Sequence, residues 1–225
     1  MRQHVNPLSR FFQLSVDILS PDELFSESNL PIHLDIGCAR GRFLLDFAAS
    51  ETKWNFIGID IRSSLVAAAE REREKLELNN LRFVFCNANV SLENWLLKLR
   101  TNQLQRVSIQ FPDPWFKKRH QKRRVLQPSL LIALANRLPP GAELFVQSDV
   151  SSVINQMIEL IQLSQCFESN DFGNEHQVND NPFDLTTERE QYALKKGLKV
   201  YRSLFYRNNN SISNKFFSNT KSQHD

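Results

Sequence analysis

Five apolar, strand-like segments alternate with helix-like segments along this chain. The strand-like segments cover residues 31–37, 54–60, 82–86, 106–111 and 142–146. Residues rich in strong helix formers lie between them, as in 64–78. This alternation favours parallel strands that are joined by helical crossovers. We therefore predict an α/β fold with a doubly wound, mainly parallel sheet.

The composition divides the chain into three parts. Residues 1–30 are polar and mixed, and we predict a mildly basic N-terminal arm that is either loose or lies along a ligand. Residues 31–207 hold the alternating segments and form one predicted domain, with an irregular polar stretch at 164–186. Residues 208–225 are mostly Asn, Ser and Lys, so a disordered polar tail is expected there.

The cysteines and the apolar segments exclude several classes of protein. Cys38, Cys86 and Cys166 are widely spaced and form no CxxC pair, which favours neither a disulfide framework nor a metal site. No segment resembles a signal peptide or is long enough to cross a bilayer. We expect a cytoplasmic protein that has no metal and no membrane partner.

A short polar acceptor lies at or just beyond the end of each of the five strand-like segments. These residues are Asp35, Asp60, Asn87, Asp113 and Asp149. Any one of them alone is most simply a turn former. However, ligands of open α/β sheets bind beyond the carboxyl ends of the strands. The series therefore predicts one shared ligand pocket at that edge.

The first loop, from Asp35 to Gly41, indicates what the pocket binds. Gly37 and Gly41 let the backbone approach a ligand closely, although Ala39 stands where GxGxxG would have its middle glycine. A dinucleotide and S-adenosylmethionine (SAM) both fit such a loop, with Asp60 on the ribose hydroxyls. An acid in the loop repels a pyrophosphate but attracts a sulfonium and an ammonium. SAM is therefore favoured over NAD, with Asn87 and Ala88 predicted at the adenine.

The stretch from Phe111 to Arg124 combines a rigid acid with a dense run of cations. Pro112 and Pro114 restrict the backbone on both sides of Asp113. Six cations follow between Lys117 and Arg124, although the whole chain has a net charge of only +3. The simpler interpretation is the end of a strand and a solvated face. A local positive field of this density also suits a polyanionic partner such as RNA.

Several motifs resemble the bacterial tRNA (guanine-N7)-methyltransferases. They are HLDIGCARGRFL, GIDIR, the Asn-Ala after the third strand, FPDPWFKKRHQKRR, the Ser-Asp after the fifth strand, and TERE. The opening MRQHVNPLS is similar as well, so the resemblance covers nearly the whole chain except the tail. It implies a Rossmann-like class I methyltransferase with a basic N-terminal arm, which uses SAM to form 7-methylguanosine in the tRNA variable loop (position 46).

The resemblance also implies roles for individual residues. Asp35, Asp60, Asn87 and Asp113 match SAM-contacting positions, and Asp113 also matches the position with a catalytic role. Lys117, Asp149, Thr187, Glu188, Arg189 and Glu190 match substrate positions. The sequence departs from the family at Ala39 and at Gln110, where Asn is usual, and at Asn87, where some relatives have a carboxylate. Phosphate contacts are predicted for Lys118, Arg119, Lys122, Arg123 and Arg124.

Several alternatives remain open from the residues alone. Either Asp113 or Asp149 reads the guanine edge, and Trp115 or Phe116 either stacks on the base or packs in the core. The spacing of Thr187 and Glu190 favours a helix capping box, which could still present its neighbours to the pocket. A non-catalytic RNA-binding protein on the same fold and a SAM methyltransferase for another substrate are the competing functions. A monomer and a homodimer are equally compatible with the sequence.

Overall fold

The computed structural model describes residues 5–169, 181–212 and 216. Its strands are β1 (Ile32–Ile36), β2 (Asn55–Asp60), β3 (Leu81–Phe85), β4 (Leu104–Gln110), β5 (Glu143–Ser148), β6 (Phe167–Glu168) and β7 (Tyr201–Arg207). Its helices are α1 (Pro21–Leu24), α2 (Arg42–Ser50), α3 (Ser63–Lys75), α4 (Ala88–Leu96), α5 (Pro128–Arg137), α6 (Ser151–Ser164) and α7 (Glu188–Lys195). Short 3-10 helices span Arg10–Gln13 and Lys118–Arg123.

The strands form one sheet in the order β3-β2-β1-β4-β5-β7-β6. Strands β1 to β5 run parallel, whereas β7 is antiparallel to both β5 and β6. The strand order reverses between β1 and β4, which opens a crevice at the carboxyl ends of these two strands. The predicted doubly wound, mainly parallel sheet is confirmed.

Helices cover both faces of the sheet because successive strand side chains point to opposite sides. Leu34 of β1 and Ile57 of β2 pack in one buried cluster with apolar residues of α4, α5 and α6. Phe56 of β2 packs in a second cluster with residues of α2 and α3. All residues of β1 and β2 are buried. The polar strand ends are therefore held by a rigid apolar frame.

The predicted arm is packed against the domain from residue 16 to residue 25. The Val16 N–H donates to Ser91 Oγ over 3.0 Å, and the Trp95 indole N–H donates to the Leu19 carbonyl over 3.0 Å. Ile18 is buried in the core. The basic residues Arg2 and His4 lie outside the described residues, so the basic character of the arm stays a prediction.

The structure differs from the sequence expectation near the C-terminus. The stretch predicted to be irregular contains β6, while residues 170–180 within it lie outside the described part. In the predicted tail, Asn208 and Asn210 both donate to the Gln165 carbonyl over 3.1 Å, and Phe216 is buried in the core. Among the described residues, no helix is long and apolar enough to cross a membrane.

Candidate active site

A cavity of about 490 Å³ lies at the carboxyl ends of β1, β2 and β4. Its volume is in the range of sites for small molecules and cofactors. The structure brings nine of the predicted site residues into its lining: Asp35, Gly37, Asp60, Asn87, Ala88, Asp113, Thr187, Glu188 and Arg189. Of the predicted phosphate contacts, Arg123 also lines it. The other predicted site residues lie outside this lining within the described chain: Gly41, Lys117, Lys118, Arg119, Lys122, Arg124, Asp149 and Glu190.

The loop between β1 and α2 turns through three residues with positive φ. These are Gly37 (+91°), Ala39 (+52°) and Gly41 (+70°). A Cβ at Gly41 would lie 2.3 Å from Cζ of Phe83, so a larger residue there would require the Phe83 ring to shift. Gly41 therefore allows close packing of the loop on the sheet. It was predicted to contact the cofactor, but it does not line the cavity.

Asp35 is buried at the end of β1 beside the cavity. Its Oδ1 accepts hydrogen bonds from Ser108 Oγ (2.6 Å) and Gln110 Nε2 (3.2 Å). Among the described residues, its Oδ2 receives no hydrogen bond, which leaves an acceptor for a cationic ligand group. Burial raises the pKa of Asp35 to about 6, the two hydrogen bonds oppose this rise, and the Asp60 charge adds to it.

Asp60 accepts four hydrogen bonds at the end of β2. They come from the Ala39 N–H and from the backbone N–H, Nε and Nη2 of Arg62, at 2.7–2.9 Å. The Asp60 hydrogen bonds and the Asp60 and Asp113 charges raise the pKa of Arg62 against its desolvation. A ribose hydroxyl can reach Asp60 only where it replaces part of the Arg62 guanidinium, because a carboxylate has about four acceptor positions.

Asn87 holds the N-terminal arm against the cavity. Its Nδ2 donates to the Pro7 carbonyl (3.2 Å) and the Phe12 carbonyl (3.0 Å), and its Oδ1 accepts from the Asn89 N–H at the start of α4. Both predicted adenine contacts line the cavity, but the side-chain amide of Asn87 is already used. Ala88 and Pro7 contribute apolar surface to the same region.

The turn after β4 places Asp113 at the cavity in a constrained backbone. Phe111 and Trp115 on either side have positive φ values of 48° and 41°. The Arg124 Nε donates to the Pro114 carbonyl over 2.9 Å, and its side chain also donates to the Ser152 carbonyl and to Gln156. Arg124 is only 6% exposed. This corrects the predicted phosphate contact, because the Arg124 side chain is buried and holds the turn.

The other cations of the run divide into an exposed group and one that faces the cavity. Lys117, Lys118, Arg119 and Lys122 are exposed to solvent. The Arg123 guanidinium lies 5.0 Å from the ring centroid of Trp115, which is also in edge contact with His120. Trp115 is half-buried and lines the cavity, whereas Phe116 is 73% exposed and does not pack in the core.

The first turn of α7 reaches the cavity from the opposite side. The predicted capping box is present: Thr187 Oγ1 accepts from the Glu190 N–H (3.1 Å), and Glu190 Oε2 accepts from the Thr187 N–H (3.4 Å). Glu190 is fully buried and does not line the cavity. Asp149 forms an ion pair with Arg189, so it contacts the site through that residue.

The sequence did not identify Arg62 and Tyr192 as residues of the cavity. Tyr192 is 50% exposed and lies 5.1 Å from the Arg189 guanidinium. It follows Glu188 by four residues and therefore shares its helix face, a signal that the sequence does contain. Arg62 could be identified only from the structure, because its place at the cavity follows from the hydrogen bonds that its side chain donates to Asp60.

Comparisons with known proteins agree with this geometry. The family described as "Putative methyltransferase" matches residues 29–203. The chain is 62% identical to a tRNA (guanine-N(7)-)-methyltransferase of Prochlorococcus marinus strain MIT 9313, over 92% of this chain and 88% of the relative. A second protein of that name, from Synechococcus sp. strain CC9311, is 56% identical over 92% of this chain and 87% of the relative.

Solved structures share the fold at low identity. A 16S rRNA methyltransferase, KamB, gives a TM-score of 0.56 at 14% identity, over 83% of this chain and 92% of that chain. A structure described as an antibiotic related methyltransferase also gives 0.56 at 19% identity, over 87% and 98%. Together with the sequence relatives, they confirm the predicted fold and the resemblance. This chain belongs to the tRNA (guanine-N(7)-)-methyltransferase family.

Proposed function

We propose that this chain is a cytoplasmic enzyme that transfers the methyl group of SAM to N7 of a guanine in the variable loop of tRNA. One observation carries the proposal. The carboxylates of Asp35, Asp60 and Asp113, at the ends of three neighbouring strands, line one cavity, and the exposed cations Lys117 and Lys118 come soon after Trp115 of its lining in the chain. A cationic cofactor and a phosphate-bearing substrate thus meet at one place.

The residues present fit SAM. The Oδ2 acceptor of Asp35 suits the ammonium of its methionine part, and Asp60 suits the ribose hydroxyls once the Arg62 guanidinium shifts. Asn87 and Ala88 stay candidates for the adenine end, where the backbone rather than the Asn87 amide offers hydrogen bonds. When bound, SAM supplies an electrophilic methyl group on a sulfonium.

The side chains act mainly by positioning and by electrostatics. Guanine N7 has an in-plane lone pair and no proton, so no general base is required and orientation supplies much of the acceleration. Positive charge develops on the purine during the transfer, and the Asp113 carboxylate stabilises that charge. A guanine taken out of its stack finds Trp115 and Tyr192 as aromatic walls at the cavity.

The phosphates are held outside the cavity. The exposed cations Lys117, Lys118, Arg119 and Lys122 contact them without reading the sequence. Arg123 is the cation of this run that lines the cavity itself, and its stacking on Trp115 links the phosphate surface to the base pocket.

One experiment tests the proposed function directly. The purified protein is incubated with unmodified tRNA and SAM, and the digested nucleosides are identified by mass spectrometry. We expect 7-methylguanosine from the variable loop. If another methylated nucleoside is found, the protein is a SAM-dependent methyltransferase with a different target. If calorimetry detects no SAM binding, a non-catalytic RNA-binding protein is favoured.

A further inference from the structure

A row of buried polar side chains crosses the sheet beneath the cavity. Gln110 Nε2 donates to Asp35 (3.2 Å), and Gln147 Nε2 donates to both Gln110 Oε1 (2.7 Å) and Glu190 Oε2 (3.2 Å). At the far end, Arg202 Nη2 donates to Glu190 Oε1 over 2.6 Å. Each of these side chains is at most 9% exposed. Buried polar groups are costly unless they are paired, so such a row requires an explanation.

The strand register produces this row. Gln110 of β4 is the partner of Gln147 of β5, which in turn is the partner of Arg202 of β7. The direction of the hydrogen bonds is fixed by the two ends. Asp35 and Glu190 are both acceptors when ionised, so the Gln110 and Gln147 amides must present N–H groups to them. Reversing either amide would set oxygen against oxygen.

The two ends of the row serve opposite sides of the cavity. Asp35 lines its cofactor side, while Glu190 caps α7 and fixes the first turn, where Thr187 and Arg189 line the other side. Glu190 and Gln147 do not line the cavity themselves. Whatever they contribute to the reaction therefore acts through Asp35 and through the start of α7.

We propose that Gln110, Gln147 and Glu190 are positioning residues that couple the cofactor side of the cavity to its guanine side. This inference rests on the proposed function. A cation on Oδ2 of Asp35 changes how strongly Oδ1 accepts from Gln110, and hydrogen bonds in a buried row polarise one another. The change in hydrogen-bond strength passes along the row to Glu190 and the start of α7. We therefore expect the cofactor and the tRNA to strengthen each other's binding.

The test measures tRNA affinity with and without saturating S-adenosylhomocysteine, which has no methyl group to transfer. In the wild type we expect the ligand to tighten tRNA binding by about fivefold or more. In Gln147→Met the ratio of the two affinities falls to about one, because the row is broken in the middle. The reciprocal measurement, ligand affinity with and without tRNA, must give the same ratio.

Gln103→Met is the matched control. Gln103 is also a buried glutamine, and its Nε2 donates to the Ser28 carbonyl over 2.5 Å, outside the lining of the cavity. This variant also loses a buried amide and is expected to be less stable, yet it keeps the wild-type ratio. Loss of coupling in Gln103→Met would overturn the proposal, because it would show that lower stability of the protein is sufficient to abolish the coupling.

A second variant keeps the inference testable if Gln147→Met does not fold. Gln110→Met removes the same hydrogen bond from its other partner, together with the bond that Gln110 donates to Asp35 at the cavity, and is expected to give a ratio of about one. Thermal unfolding shows which variants are folded. Wild-type coupling in either folded variant, or a wild-type ratio of one, overturns the inference. A wild type that forms no 7-methylguanosine would instead refute the proposed function, whatever the ratio.

Discussion

Among single residues, Asp35 is a buried carboxyl group at the proposed cofactor site, and its burial bears on the stability of the protein. Its pKa is raised from 3.8 to about 6, chiefly by burial. A carboxyl group with a raised pKa in the folded state stabilises the fold below its unfolded pKa, and this contribution is lost as the pH rises through the folded value. Above about pH 6 the buried charge therefore costs the fold roughly 2–3 kcal/mol, at 1.36 kcal/mol per pKa unit.

We therefore expect Asp35→Asn to increase the free energy of unfolding at pH 7.5 by up to about 2–3 kcal/mol. The gain should shrink as the pH falls from 6 towards 4, because wild-type Asp35 becomes protonated there. Urea unfolding of both proteins between pH 4 and pH 7.5 measures the difference in the free energy of unfolding. The same variant should bind SAM much more weakly in calorimetry. A stability difference that does not change with pH would contradict the assigned pKa shift.

Asp113 is the residue that we propose stabilises the charge of the transition state. For Asp113→Asn we expect kcat to fall by about 10²-fold, because stabilisation of the developing purine charge is lost. SAM affinity should change far less, and single-turnover assays together with calorimetry separate the two effects. The control is Asp46→Asn, an exposed acid of α2 outside the cavity lining. Turnover near that of the wild type would remove Asp113 from the catalytic role.

At the scale of elements, Gly41 decides how closely α2 approaches the sheet. Gly41→Ala would set a Cβ against the Phe83 ring, whereas Gly141→Ala meets no atom within 4 Å. Both glycines have positive φ, so the cost of backbone strain is similar in the two variants. We expect Gly41→Ala to lower the free energy of unfolding by about 1–3 kcal/mol more than Gly141→Ala. Equal losses in urea unfolding would mean that Phe83 moves aside freely.

The sequence located most elements, and its misses have physical causes. The five parallel strands lie within two residues of the predicted positions, because buried strands are short apolar runs bounded by turn residues. Helix α4 begins at Ala88, four residues before the apolar residues that start at Leu92, because the Asn87 side chain caps it there. Strand β6 was missed because two residues carry no pattern, and its pairing with β7 is long-range.

On the molecular surface, the exposed cations Lys117, Lys118, Arg119 and Lys122 lie in the chain between Trp115 and Arg123, which both line the cavity. For the double variant Lys118→Ala/Lys122→Ala we expect weaker tRNA binding and a salt dependence, as log K against log salt, that is shallower by about two. The control, Lys53→Ala/Lys75→Ala, removes the same charge from exposed lysines elsewhere. Its slope should stay close to that of the wild type. Equal slopes for the two double variants would show that the run does not contact phosphates.

Local residue patterns were sufficient to predict the five parallel strand segments, the acids at their ends, the dense run of cations and the resemblance to the family. These features are local, since each depends on neighbouring residue types. The three-dimensional fold was needed to show which residue of a motif lies at the cavity. Arg123 lines the cavity while Arg124 is buried in the domain, and Glu190 is hydrogen-bonded to a row of strand residues and does not line the cavity. Burial and hydrogen-bond partners come from strands distant in sequence, so no local pattern contains them.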